Sequence, residues 1–321
     1  MEASSTPTIR RLTPSCRHQL PRITLAQKLV IVRPFLLLAW AGEISVVRKL
    51  VNELDRELPG SIEEFLGNID PLFARLNVLP KSVEVIAVLI DREFIRPFCV
   101  HTRGFEVEEK RFYLLGSGSQ TVFQFLSHFT SHMPPDNDVG IASRAAMINF
   151  AGNAMMSQYA SKFGLSESWG GGFEVAYATP AGFAKVDNIL VRCWSLNADE
   201  SLGNIGASFL MHYRGSALSL STFGHQEQTI LVKSMIESNP VGEPRAEVSP
   251  EWTVDLFYRP KDGRHFCAVQ NEFPWSNNRS SFYFDDGNIV RWSMDKTRVE
   301  KIIEKINNTE PTVTPFSIST L

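Results

Sequence analysis

At 321 residues the chain can bury one large core or two modest ones, and its 43% hydrophobic content is ordinary for a soluble globular protein. A formal net charge of −3 supplies no general attraction to nucleic acid or anionic lipid, so neither is expected as a partner. No apolar run reaches the roughly 20 residues that span a bilayer, no apolar core precedes Leu25 to make a secretory signal, and Cys16, Cys99, Cys193 and Cys267 lack CxxC spacing.

These features predict a cytoplasmic protein with reduced thiols, no disulfide framework and no bound metal or cofactor. In chain order, residues 1–22 are polar and small with Pro7 and Pro14, and predict a flexible arm. Gln27 to Leu50, QKLVIVRPFLLLAWAGEISVVRKL, is the most informative stretch. Lys28 opens one apolar run, Arg33-Pro34 supplies a turn, Phe35 to Trp40 is a second run, and Ala41-Gly42 ends it, which predicts a buried hairpin with a lysine at its mouth.

Ile44, Val47, Leu50, Val51 and Leu54 recur at helical spacing, and Pro59-Gly60 stops that helix. Ser61 with Glu64 forms a capping box for a second helix. Val83 to Ile90 predicts a β-branched strand, Phe94 to Thr102 its hairpin partner, and Arg111 to Leu115 a third. Gly116-Ser117-Gly118-Ser119 then turns into a helix over Thr121 to His132, whose N-terminus favours an anion or a polarised oxygen. His128 and His132 lie four apart on that helix, but no acidic residue or third ligand accompanies them, and no metal site is predicted.

Ile141 to Phe163 predicts a helix rich in small residues and suited to close packing. A glycine hinge at Trp169 to Gly172 precedes a hairpin of Phe173 to Thr179 with Ala184 to Ser195. Beyond Gly215 the pattern predicts strands: Ser216 to Thr222, Thr229 to Ile236, Trp252 to Tyr258, His265 to Phe273, and a pair around Asp286-Gly287. A last helix is predicted over Lys296 to Ile306, followed by a polar tail. His101, His212, His225 and His265 are isolated, and no triad is built from them.

The order of hairpin, two helices, strands, Gly-Ser turn, helices and closing hairpin buries all these apolar faces as two antiparallel sheets between two helical layers. With that order, Lys28, Ala41-Gly42 and Gly116-Ser117-Gly118 resemble the proteasome β-subunit and HslV-like peptidases of the N-terminal-nucleophile hydrolases, over about residues 23–195. The resemblance implies an α+β, four-layer αββα sandwich for residues 23–200, with a β-rich C-terminal extension over 201–307 and a flexible tail over 308–321. It implies that Lys28 lowers the pKa of an N-terminal threonine hydroxyl, that the Gly42 N–H binds the oxyanion, and that Ser117 supports the threonine's amino end.

By the same resemblance Trp40, Glu43, Gly116 and Gly118 line the substrate pocket, with Glu43 standing where the family has a second glycine. The family's threonine lies on a hairpin upstream of the lysine, and residues 1–22 do not read as those strands, so no nucleophile is found in this chain. The expectation is therefore a threonine-type peptidase if the start lies upstream of Met1. Otherwise the scaffold is non-catalytic and serves assembly or binding, with a homo-oligomer or ring as the implied assembly. A third reading makes residues 201–321 an independent ligand-binding module whose Trp252, Trp275, Phe282, Tyr283 and Trp292 form a groove.

Overall fold

The computed structural model describes residues 10–11, 25–56, 62–77, 82–91, 94–101, 104–106, 144–152, 174–223, 228–236, 240–261, 264–271, 280–285, 288–293 and 297–308. Within them the protein is a mixed α and β structure, dominated by strands.

The hairpin predicted at Lys28 forms as β3 (Leu29–Arg33) and β4 (Leu36–Gly42). Alternation decides its faces: Val30, Val32, Leu36, Leu38 and Trp40 enter one core. Helix α1 (Ile44–Arg56) lays Val47, Leu50, Val51 and Leu54 on that face, and α2 (Ile62–Arg75) adds Leu72 and Phe73. Strand β5 (Val83–Asp91) returns beside β4, and β6 (Phe94–His101) and β7 (Gly104–Glu106) extend the sheet, giving the order β3-β4-β5-β6-β7.

The helix over residues 144–152, α3, begins the second half. Its small residues permit the close approach the composition predicted: a Cβ on Gly152 would lie 2.9 Å from Val254 Cγ1. Below it lies a seven-stranded sheet built from β2 (Leu25–Ala26), β10 (Ile189–Leu196), β11 (Leu202–Arg214), β12 (Ala217–Phe223), β13 (Gln228–Lys233), β15 (Trp252–Arg259) and β16 (Arg264–Asn271). Their order is β16-β15-β10-β11-β12-β13-β2, with β10 parallel to β15 and β13 parallel to β2. One face packs on α3 through Ile148, Val191, Met211, Val254 and Leu256. The other face packs Leu190, Trp194, Leu210, Phe223 and Phe257 against Phe282, Ile289, Trp292, Val299 and Ile303. Those partners come from β17 (Ser281–Asp285), β18 (Asn288–Ser293) and the last helix α4 (Thr297–Asn308).

Several expectations are corrected. Ala184 to Ser195 is not one strand. β8 (Ala176–Thr179) pairs with β9 (Gly182–Lys185), and the chain then turns at Asn188, in the left-handed region with φ 54°, before β10 enters a different sheet. A boundary at residue 200 runs through a sheet, because β10 lies between β11 and β15. Residues 201–307 are thus not a separate extension, and an independent module over 201–321 loses its central strand. Trp252, Phe282 and Trp292 are buried in its cores and form no groove.

Strand β11 carries little alternation in its sequence, because Gly203 and Gly206 interrupt it, and its pairing with β10 is irregular between Arg192 and Trp194 and between Trp194 and Leu196. Within the expected flexible arm, β1 (Arg10–Arg11) pairs with Trp292 and Arg291 of β18, using the free hydrogen-bonding edge of that strand. Together with β14 (Glu247–Val248) it completes a small sheet ordered β1-β18-β17-β14. The expectations for Arg111 to Leu115, the Gly-Ser turn, Thr121 to His132, the glycine hinge and residues 309–321 lie outside the described residues. No described helix is long and apolar enough to cross a membrane.

Candidate functional site

The lysine that opened the hairpin lies where the two large sheets meet. Trp40 N–H donates to the Lys28 carbonyl at 3.1 Å, so these residues sit opposite each other at the hairpin mouth. The Lys28 ammonium lies 3.6 Å from the centre of the Trp40 ring, a cation–π geometry. Burial holds the Lys28 pKa below the ordinary lysine value. The indole N–H donates to the Gln27 carbonyl at 2.8 Å.

Gly42 closes β4 with φ +113°, a conformation L side chains rarely adopt. Glu43 N–H bonds the Ser82 carbonyl at 2.9 Å, on the β5 side. Trp40 N–H faces Lys28 on the β3 side, and because alternate N–H groups of a strand point the same way, the Gly42 N–H is turned to that side as well. The hairpin therefore brings Lys28 and Gly42, both exposed, to one end.

Two expected pocket residues do something else. Trp40 is 4% exposed and belongs to the core beneath α1 and α2, so it does not line a pocket. Glu43 caps α1: its carbonyl accepts from Val47 N–H, and its carboxylate accepts from the Ser45 hydroxyl beside the positive end of the helix dipole. Ser117, Gly116 and Gly118 lie outside the described residues, as do His128 and His132. Among the described residues no group of three or more His, Cys, Asp or Glu is placed to hold a metal ion.

Sequence reasoning passed over the polar network behind Lys28. Lys185 Nζ donates to Glu174 Oε1 at 2.6 Å and to Gln27 Oε1 at 3.0 Å, while the Tyr213 hydroxyl donates to the same Glu174 oxygen at 2.7 Å. Burial lowers the Lys185 pKa, and Glu174 opposes that shift. No local signal marks this set, because Gln27 and Lys185 stand 158 residues apart. A second network lies inside the seven-stranded sheet. Asp255 accepts Arg192 Nε and Nη2 at 2.7 Å each, Trp194 Nε1 at 2.8 Å and Gln270 Nε2 at 3.2 Å. Every acceptor direction of that carboxylate is used, which fits a structural role better than a reactive one. Burial raises the Cys193 pKa to about 12 and pushes the Cys267 thiol up as well, so neither offers a thiolate at neutral pH.

His212 packs on the Phe284 ring with centroids 5.1 Å apart, and its Nδ1 has no hydrogen-bond partner among the described residues. Burial, then Arg245 and Arg214, lower its pKa from 6.5 to about 4. The unfolded chain therefore binds the extra proton first. The stability that neutral His212 contributes is complete above pH 6.5 and is lost as pH falls toward 4, by at most about 3 kcal/mol. His212→Leu is expected to flatten the dependence of melting temperature on pH across that window. An unchanged slope in the variant sinks the assignment.

No protein-family model matches the sequence, and no curated protein is significantly similar to it.

Proposed function

We propose that the chain is a proteasome-subunit-like protein of the N-terminal-nucleophile class, working in the cytoplasm, in which the open end of the β3–β4 hairpin is the amide-hydrolysing corner. One observation carries this reading: Lys28 and Gly42 stand at the same end of a hairpin that is followed directly by two helices and then by the strands that complete its sheet. The four-layer αββα arrangement is part of the proposal. What supports it is limited to the outer layers: α1 and α2 cover the five-stranded sheet and α3 covers one face of the seven-stranded sheet, whose other face packs on the small sheet and α4.

The chemistry follows from the two groups. An ammonium close to a hydroxyl favours the alkoxide, and a backbone N–H that is free to donate binds the oxygen of a tetrahedral intermediate. A threonine-type reaction also needs the hydroxyl and its α-amino base, which no described residue supplies. Protein that carries an N-terminal Thr, Ser or Cys upstream of Lys28 is expected to turn over a fluorogenic peptide, with Lys28→Ala lowering the rate about a hundredfold or more. Equal turnover with and without Lys28 overturns the role of Lys28, and no turnover by protein that carries such a nucleophile overturns the hydrolase reading.

A second reading makes the fold a non-catalytic assembly or binding protein, alone or as a homo-oligomer. It is favoured by the layering: both faces of the seven-stranded sheet carry their own cores, one against α3 and the other against the small sheet and α4. Wild-type protein that lacks turnover yet sediments as a defined oligomer supports it.

A further inference from the structure

We propose that Gln27 and Trp40 are positioning residues for the Lys28 ammonium: Gln27, pinned between the two large sheets, sets the plane of the indole, and the indole face sets where the ammonium rests. The catalytic meaning of this arrangement rests on the hydrolase reading above; its geometry does not.

Gln27 is only 3% exposed, and both its backbone and its side chain are hydrogen-bonded. Its N–H donates to the Lys233 carbonyl at 3.2 Å, and its side-chain amide donates to the Ser216 carbonyl at 2.6 Å. Its side-chain oxygen accepts from Lys185 at 3.0 Å, and its carbonyl accepts from the Trp40 indole at 2.8 Å. The first bond reaches β13 of the seven-stranded sheet, the second the turn between β11 and β12, the third β9; the fourth reaches into the five-stranded sheet. Lys185 is in turn held by Glu174, which Tyr213 also engages.

A chain of fixed contacts thus runs from the Glu174–Lys185 ion pair through Gln27 to the indole. The last link is needed because a lysine stem has several free torsions and points nowhere in particular without a surface to rest on. The buried indole face, 3.6 Å from Nζ, is that surface. Residues far apart in sequence therefore decide where the ammonium at the hairpin mouth sits.

The test is NMR of protein carrying carbon-13 at the lysine ε position, with the Lys28 signal assigned by Lys28→Arg. In wild type the Lys28 ε-methylene is expected upfield of the exposed lysines, because it lies over the ring. Trp40→Leu is expected to abolish that shift, and Gln27→Met to reduce it although the indole is untouched. Where peptide turnover occurs, Gln27→Met is expected to lower kcat with KM unchanged. A folded Gln27→Met protein whose Lys28 signal stays in place overturns the proposal. If that variant does not fold, Lys185→Met, which removes one bond to Gln27 and leaves the Ser216 bond, carries the same test: a smaller upfield shift supports the proposal, and an unmoved signal overturns it. The signal does not depend on turnover. A shift that responds to these variants in protein that carries an upstream nucleophile yet lacks peptidase activity sinks the hydrolase reading and leaves the positioning intact.

Discussion

Asp255→Ala is expected to destabilise the fold by about 3–5 kcal/mol, measured as the change in unfolding free energy in urea. Asp255 is fully buried, and its partner Arg192 is 3% exposed, so removing the carboxylate strands a guanidinium with no water to solvate it. Trp194 and Gln270 lose their acceptor at the same time. The loss comes from the orphaned charge and not from the net worth of the pair, which is small once desolvation is counted. Removing both charges tests this: Arg192→Met combined with Asp255→Leu is expected to recover most of the stability. A double variant as unstable as Asp255→Ala would show that shape, not charge, dominates at this place in the sheet.

Gly42→Ala carries the next largest effect, an expected loss of about 3 kcal/mol. Two costs act together. The φ of +113° is strained for any side chain, and an added Cβ would lie 2.1 Å from the Ser82 carbonyl oxygen and 2.9 Å from Val83 Cα. Both are backbone atoms of the paired chain, so the clash cannot be relieved by rotating a side chain. Gly67→Ala is the internal comparison. It lies within α2, where an added Cβ meets nothing within 4 Å, and it is expected to stabilise by about 0.5–1 kcal/mol through helix propensity. If Gly42→Ala is tolerated as well as Gly67→Ala, the turn from β4 into α1 has more freedom than this geometry allows.

The same glycine shows how far reading from sequence reaches. Ala41-Gly42 was legible as the end of a strand, and Val47, Leu50, Val51 and Leu54 as a helix face, because those signals come from residues within a turn or two of one another. The β17–β18 pair around Asp286-Gly287 was legible for the same reason. The role assigned to Trp40 was not. A tryptophan at a strand end reads equally as pocket lining or as core, and the packing of α1 and α2 over β4 places it in the core. Glu43 likewise stood where a resemblance expected a pocket, while its carbonyl and carboxylate serve the helix that follows.

What the sequence by itself determined is therefore local: the hairpin from Leu29 to Gly42, α1, α2, most of the strands beyond Gly215, and the lysine at the hairpin mouth. Periodicity, turn residues and caps act over a few residues, and they leave a trace that can be read without neighbours. The tertiary structure alone decided the parallel pairing of β10 with β15, which makes residues on either side of position 200 one sheet. It also decided that Gln27 meets Lys185, and that Arg192 meets Asp255 across 63 residues of sequence. A buried polar or charged side chain announces that it needs a partner but not which one. That choice is made by strand register, and register is fixed only when whole faces find their cores.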